Sequence, residues 1–198
     1  MRREQFDVGG YYRLSLQERI NSIIRNYGCY QGIIDDYRRE LYDWIDGNRE
    51  KARRDAIGDL GVRICSGAAF VSSTENAVNA KWEIDGILDT YKLTPSCEGI
   101  EDYDEISRGL LELKLMKREY RRFRERLASL QSEERKIFLL YMKSSNEGPA
   151  VCEEVGLSYK TYRNRVCLIK KKIFSGFICR LDTYDDMNIY IVGGLSDE

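Results

Sequence analysis

The sequence contains no histidine and only two prolines. Without histidine the chain lacks the commonest general base and a member of most nucleophilic dyads, so we predict no catalytic residue and no enzyme activity. The scarcity of proline leaves long stretches unbroken, and apolar residues recur in them at steps of three and four, as they do in amphipathic helices. The sequence therefore predicts an all-α protein.

Closely spaced cysteines and long apolar runs are also missing. The six cysteines lie far apart without a CxxC motif: Cys29, Cys65, Cys97, Cys152, Cys167 and Cys179. We therefore predict no metal site and no cofactor. No apolar run approaches the length of about eighteen residues that suggests a membrane span, and no signal peptide is recognisable. These absences predict a cytoplasmic protein without a membrane partner, whose cysteines are small buried side chains.

Two helices are predicted near the N terminus. Ser15 and Glu18 form an S-x-x-E capping box at the start of the first helix, which ends at Gly28. The second helix is predicted from the apolar periodicity of residues 30–44 and ends at the DGN sequence that follows. Because the two helices are joined at Gly28, we predict an antiparallel helical hairpin within an N-terminal domain of residues 1–100.

The remainder of this domain is predicted to hold a loop and a third helix. Residues 47–71 are interpreted as a linker or loop. A second S-x-x-E box, formed by Ser72 and Glu75, predicts a helix that ends at Thr94-Pro95. The apolar surface of this helix would come from Ala77, Val78, Trp82, Ile84, Ile87, Leu88 and Tyr91.

A long connecting helix is predicted over residues 101–128, within a segment that spans residues 101–130. A heptad seam runs along it: Ile106, Gly109, Leu113, Met116, Tyr120, Phe123, Leu127 and Leu130. Its other faces carry charged residues, including Glu112 and Glu119, which we expect in solvent. The seam has two interpretations: an amphipathic helix that packs on its neighbours, or a coiled coil through which the chain forms a homo-oligomer.

Charge is strongly segregated along the chain. The 32 basic and 33 acidic residues nearly cancel, yet residues 155–181 contain seven basic residues and no acidic one. Residues 182–198 contain five acids and no base, which predicts an acidic C-terminal tail. Because the net charge is uninformative, a nucleic-acid partner has to be inferred from where the charges lie.

Residues 131–181 have the pattern of a helix-turn-helix domain. Pro149 is predicted to open a short helix in its first turn, and Gly156 to end it. Leu157 would then point inward, and Ser158 would cap a final basic helix. A short helix, a glycine turn and a capped basic helix form the arrangement that places a helix in the major groove of DNA.

The final helix is predicted to separate its side chains onto two faces. At about 100° per residue, an apolar stripe faces the core. The stripe consists of Tyr162, Val166, Ile169 and Ile173. The opposite face consists of Lys160, Arg163, Asn164, Cys167, Lys170 and Lys171. Arg165 and Lys172 flank the stripe. Since the helix has no acidic residue, none of its own side chains offsets the repulsion between its cations. The phosphates of DNA would offset that repulsion.

These positions give the predicted DNA-binding residues. Arginine suits guanine and asparagine suits adenine, so Arg163 and Asn164 are expected to contact base edges of double-stranded DNA. The hydroxyls of Ser158 and Thr161 and the free amides of the helix N terminus suit phosphates. Contacts to the DNA backbone are predicted to continue along Lys170, Lys171 and Lys172.

Several segments of the chain together resemble a known family. The strings LASLQSEERKIFLLYM and VCEEVGLSYKTYRNRVCLIKKKI resemble sigma-factor region 4 and related helix-turn-helix regulators. With NYGCYQGIIDDYRRELYDWI and FVSSTENAV upstream, the order resembles phage late-gene transcriptional activators of the RinA and ArpU type, over most of residues 20–178. The resemblance implies an activator that binds phage DNA in a bacterial host and engages host RNA polymerase. It also implies DNA-reading roles for Tyr159, Lys160, Thr161, Arg163, Asn164 and Arg165.

Three other functions are considered beside the activator. A sigma-like factor would need a second promoter-reading module, and the N-terminal half shows no basic, aromatic-rich segment of that kind. A small terminase subunit joins a helix-turn-helix to an oligomerising helical region, which the heptad seam would suit. A nuclease could hold magnesium with Asp35-Asp36, Asp102-Asp104 or Asp185-Asp186, but adjacent acids more often face solvent and no nucleotide-binding motif accompanies them.

Overall fold

The computed structural model describes residues 8–57, 73–97, 100–143 and 148–178, and all regular structure in these residues is helical. Their α-helices are α1 (Leu16–Arg25), α2 (Tyr30–Ile57), α3 (Ser73–Thr90), α4 (Tyr103–Ala128), α5 (Ser132–Lys143), α6 (Gly148–Val155) and α7 (Tyr159–Ile178). Short 3-10 helices occupy Val8–Arg13 and Pro95–Cys97. The described part of the chain is therefore all-α, as predicted. None of its helices is both long and apolar enough to cross a membrane.

Helix α1 begins at the predicted capping box. The Oγ of Ser15 accepts a hydrogen bond from the backbone N–H of Glu18 at 3.3 Å, and the Glu18 carboxylate accepts one from the backbone N–H of Ser15 at 2.8 Å. Hydrogen bonds from the side chain and then the backbone of Ser15 lower the pKa of Glu18. The helix ends at Arg25, before Gly28, with Asn26 as its C-cap. The antiparallel arrangement of α1 and α2 stays a prediction.

Helix α2 is longer than predicted, because it continues through Gly47 to Ile57. The prediction of a loop is therefore wrong for residues 47–57. A single glycine costs a helix interior only about 1 kcal/mol relative to alanine. The residues after it are mostly good helix formers, and the guanidinium of Arg49 donates to the Glu83 carboxylate at 2.5 Å. Such a contact with another helix favours continuation over a break.

Helix α3 ends earlier than predicted, at Thr90. The next residue, Tyr91, has a left-handed φ of 57°, which is incompatible with a continuing helix. Three of its predicted apolar residues are buried (Ile84, Ile87 and Leu88), whereas Val78 and Trp82 are exposed, Trp82 by 76%. The predicted capping-box side chains of Ser72 and Glu75 lie outside the described residues, as do residues 58–71.

The chain divides into two compact units. Unit 1 comprises residues 1–33 and 115–198, and unit 2 comprises residues 34–114, so the boundaries fall inside α2 and α4. The division predicted from the sequence, into residues 1–100, 101–130, 131–181 and 182–198, stays a prediction. The acidic tail that forms its last segment lies outside the described residues.

Helix α4 follows the predicted long helix and buries much of its heptad seam. The buried seam residues are Ile106, Gly109, Leu113, Met116, Phe123 and Leu127. A Cβ on Gly109 would lie 2.7 Å from Cδ2 of Leu41, so a side chain at this position would force the buried Leu41 side chain to shift. Burial of the seam within one chain is the behaviour expected of an amphipathic helix that packs on its neighbours.

Two glutamates of α4, expected in solvent, are buried instead: Glu112 and Glu119. In unit 2, the hydroxyl of Tyr37 donates to Glu112 at 2.8 Å. In unit 1, Glu119 accepts hydrogen bonds from the Tyr11 hydroxyl at 2.7 Å and from the Arg19 guanidinium at 3.0 Å. Burial raises the pKa of Glu119, although the charge of Arg19 opposes that shift. The charge pattern of α4 alone does not reveal these partners, which lie on other elements.

Candidate nucleic-acid interface

Helices α5, α6 and α7 pack on one another in unit 1. Their buried side chains are Ile137 and Phe138 of α5, Val151 and Cys152 of α6, and Tyr162, Val166, Ile169, Ile173 and Phe177 of α7. All four residues of the predicted apolar stripe are among them, so the predicted inward face of α7 is confirmed. Burial also raises the pKa of Tyr162. This packing fixes which face of α7 points outward.

The connection from α6 to α7 is a glycine turn. Gly156 has a φ of +68°, a left-handed conformation that favours glycine. The N–H of Gly156 donates to the carbonyl of Glu153 at 3.3 Å, and that of Leu157 donates to the carbonyl of Cys152 at 3.1 Å. These two bonds form a Schellman motif, which satisfies carbonyls at the helix end. Leu157, predicted to point inward, is half-buried.

Ser158 caps α7 as predicted. Its Oγ accepts a hydrogen bond from the backbone N–H of Thr161 at 3.3 Å and lies 2.8 Å from the Thr161 hydroxyl. Both side chains are exposed. Each hydroxyl retains further hydrogen-bonding capacity, and the N-terminal amides of a helix attract anions. The first turn of α7 is thus compatible with a bound phosphate.

The outward side of α7 carries four exposed cations and an exposed amide. We call this set the cationic face, and its members are Lys160, Arg163, Asn164, Arg165 and Lys171. Within the described part of the chain, none of the four cations forms an ion pair. Tyr159, at the start of the helix, is 57% exposed beside it. The face therefore carries positive charge that the described residues do not neutralise.

Two further lysines of α7 contact α5. The Nζ of Lys170 donates to the Tyr141 hydroxyl at 2.7 Å and lies 4.5 Å from the centroid of the same ring, and the lysine is half-buried. The Nζ of Lys172 forms an ion pair with the carboxylate of Glu134. The expectation that the cations of α7 lack relief is therefore wrong for Lys172, because the acid comes from another helix.

An exposed apolar residue of α7 is missing from the sequence-based site. Leu168 is 58% exposed, although it is apolar. It lies four residues after Asn164 and three before Lys171, a spacing that places all three side chains on neighbouring parts of the helix surface. The same 3.6-residue period that predicts the buried stripe would have identified it, since Leu168 lies outside that stripe.

The cysteines differ from their prediction in part. Cys97 and Cys152 are buried, as expected, but Cys29 and Cys167 are exposed, and all four are free thiols. Cys29 lies in the turn before α2, and Cys167 lies on the side of α7 away from its apolar stripe. Position in the element outweighs the general preference of cysteine for the interior. Cys65 and Cys179 lie outside the described residues.

The paired carboxylates show no metal-binding arrangement where they are described. Asp35, Asp36, Asp102 and Asp104 are all exposed, and Asp36 pairs with Arg39 at 3.0 Å. The described residues contain no group of three or more histidine, cysteine, aspartate or glutamate side chains that could hold a metal ion. Asp185 and Asp186 lie outside the described residues.

The cationic face has to be interpreted from its own residues. Comparison of the chain with protein-family models, with curated proteins and with solved structures finds no match. The resemblance to phage late-gene activators therefore stays a prediction that depends on the quoted motifs.

Proposed function

We propose that α5, α6 and α7 form a helix-turn-helix that binds double-stranded DNA, with α7 in the major groove. The observation that carries the proposal is the cationic face, whose four cations are exposed outside the buried apolar stripe and form no ion pair within the described residues. Duplex DNA would supply the missing negative charge, and each phosphate that a cation neutralises releases condensed counterions. The width of the major groove, about 12 Å, admits an α-helix.

The side chains divide into base contacts and phosphate contacts. Arg163 and Asn164 lie in the first half of α7, where helices of this type meet base edges, and both are exposed. Arginine recognises guanine, and asparagine recognises adenine, through two hydrogen bonds each. Ser158, Thr161 and the amides of the first turn are assigned to a phosphate. Tyr159, Lys160, Arg165 and Lys171 flank these positions and complete the proposed surface.

Lys170 and Lys172 differ from the cations of the cationic face because both already contact α5, through Tyr141 and Glu134 respectively. Lys170 is assigned a positioning role between α5 and α7, because its ammonium group donates to the Tyr141 hydroxyl and lies close to the same ring. Lys172 would contact a phosphate only in exchange for the Glu134 carboxylate.

We further propose that the protein is a transcriptional regulator, namely a phage or prophage late-gene activator that acts with host RNA polymerase. The support for this class is the resemblance of its motifs and their order to the RinA and ArpU type. The heptad seam, the feature that suited a small terminase subunit, is mostly buried within the chain. That burial favours the activator over an assembly whose subunits associate through the seam.

The proposal is tested by selecting duplexes from a random library with the full chain and measuring their affinity. We expect one enriched motif. Arg163→Ala and Asn164→Ala should each weaken binding to that motif by about 1–3 kcal/mol, the value of a bidentate base contact. Both variants should keep the thermal unfolding midpoint of the parent, since both side chains are exposed.

The matched control is Arg39→Ala, which removes an exposed arginine from α2. It should leave affinity for the motif unchanged. Failure to enrich any motif would contradict sequence-specific binding. Equal affinity of the Arg163 and Asn164 variants and the parent would contradict the assignment of base contacts to α7.

A further inference from the structure

Leu168 interrupts the polar surface of α7. Its side chain is 58% exposed. Its helical neighbours at three and four residues distance are Asn164, Arg165, Lys171 and Lys172, all exposed. The described residues leave this apolar surface uncovered, and a partner that covers it gains its burial.

The major groove of DNA offers one apolar group for such a side chain. The base edges there present hydrogen-bond donors and acceptors, together with the 5-methyl group of thymine. Side chains four residues apart on a helix have Cβ atoms about 5–6 Å apart, while successive bases stack about 3.4 Å apart. Asn164 and Leu168 can therefore reach base pairs that are neighbours or nearly so.

We infer that Leu168 contacts the 5-methyl group of a thymine beside an adenine that Asn164 binds. The inference rests on the proposed function and adds a specificity to it. The DNA site contains an adenine and a nearby thymine in the major groove under the middle of α7. The cations on either side of Leu168 hold the duplex by its phosphates and so bring the methyl group to the leucine.

The test uses the duplex that the full chain selects from a random library. Each thymine in the enriched motif is replaced, one at a time, by deoxyuridine, which removes only the 5-methyl group. We expect one position at which the parent protein binds about fourfold more weakly, the value of one buried methyl group. Leu168→Ala should bind the unmodified duplex more weakly and should not distinguish thymine from deoxyuridine at that position.

Leu111→Ala is the matched control, because Leu111 is an exposed leucine of α4. It should keep both the parent affinity and the parent sensitivity to deoxyuridine. Thermal unfolding of Leu168→Ala should match that of the parent, which separates a lost contact from a lost fold.

Two results would overturn the inference while the proposed function stands. These are no position that responds to deoxyuridine, and an unchanged response in Leu168→Ala. An enriched motif without A·T pairs would overturn the inference together with the adenine contact assigned to Asn164. Failure to enrich any motif would overturn both the proposed function and the thymine contact, so the two failures are distinguishable.

Discussion

At the scale of single residues, a DNA phosphate would compete with the Glu134 carboxylate for Lys172. Its ion pair with Glu134 is partly open to solvent, since the lysine side chain is 57% exposed and the glutamate 24% exposed. Such pairs contribute about 0–1 kcal/mol, so a phosphate can replace the carboxylate. Glu134 would then lie near a phosphate and oppose binding, whatever the DNA sequence.

Replacing Glu134 with glutamine should therefore strengthen binding to DNA of arbitrary sequence. A free Lys172 adds up to one phosphate contact, so the slope of log K against log salt concentration should steepen by up to about 0.9. Fluorescence anisotropy of a labelled non-specific duplex at several salt concentrations measures this slope.

The control is Glu133→Gln, which removes the same charge from the adjacent exposed position of α5. It should raise affinity only through the net charge and should leave the slope closer to that of the parent. Equal slopes for the two variants would show that Lys172 gains no phosphate contact when Glu134 is neutralised.

The sequence predicts the residues of α7 well where one helix decides the outcome. The period of 3.6 residues suffices for the buried stripe, and local spacing suffices for the Ser158 cap. It does not predict the environment of Lys170 or Lys172, whose partners lie 29 and 38 residues away in the chain. Which cations remain free for a ligand depends on packing between helices, and a pattern within one helix does not contain that information.

At the scale of helices, Gly47 and Gly109 are both helix-interior glycines, but only Gly109 lies close to side chains of another helix. A Cβ on Gly47 would meet no atom within 4 Å, so Gly47→Ala should raise the free energy of unfolding by up to about 1 kcal/mol. A Cβ on Gly109 would lie 2.7 Å from Leu41 and 3.1 Å from the Tyr37 hydroxyl. Overpacking of this kind costs about 1–3 kcal/mol and outweighs the gain of up to about 1 kcal/mol from alanine in a helix, so Gly109→Ala should lower the free energy of unfolding.

Urea unfolding followed by circular dichroism measures both changes, and each variant is the control for the other. Destabilisation by Gly47→Ala would contradict the continuous helix α2. Stabilisation by Gly109→Ala would contradict the close approach of α4 to Leu41.

Helix starts are predictable from the sequence to the extent that their signals are local. The Ser15–Glu18 box marks the start of α1 because both hydrogen bonds join residues three apart. The end of α2 is not predictable in the same way. The DGN sequence is a common breaker, and its effect is overcome where α2 gains contacts such as the bond from Arg49 to Glu83, 34 residues later.

At the scale of the whole molecule, the all-α class is predictable because helical periodicity extends through most of the chain. The packing partner of α4 is less predictable from the sequence. Its heptad seam fits both self-association and packing within the chain, and its glutamates at 112 and 119 read as solvent-facing charges. The structure buries most of the seam and both glutamates, with Tyr37 bonded to Glu112 and both Tyr11 and Arg19 bonded to Glu119. Only the tertiary partners distinguish these alternatives.

Burial of the seam also predicts how the whole chain associates. Leu113, Met116 and Phe123 have no exposed surface in a single chain, so a second copy could not reach them without unfolding part of the protein. We expect light scattering coupled to size-exclusion chromatography to give a mass near 23.1 kDa, or at most that of a dimer, at several protein concentrations. Trp82→Ser is the informative variant if a dimer appears, because Trp82 is the most exposed of the large apolar side chains described. A ring of many chains would contradict the expectation and would favour a DNA-packaging subunit. The chains of such a ring would have to associate through a surface other than the buried seam.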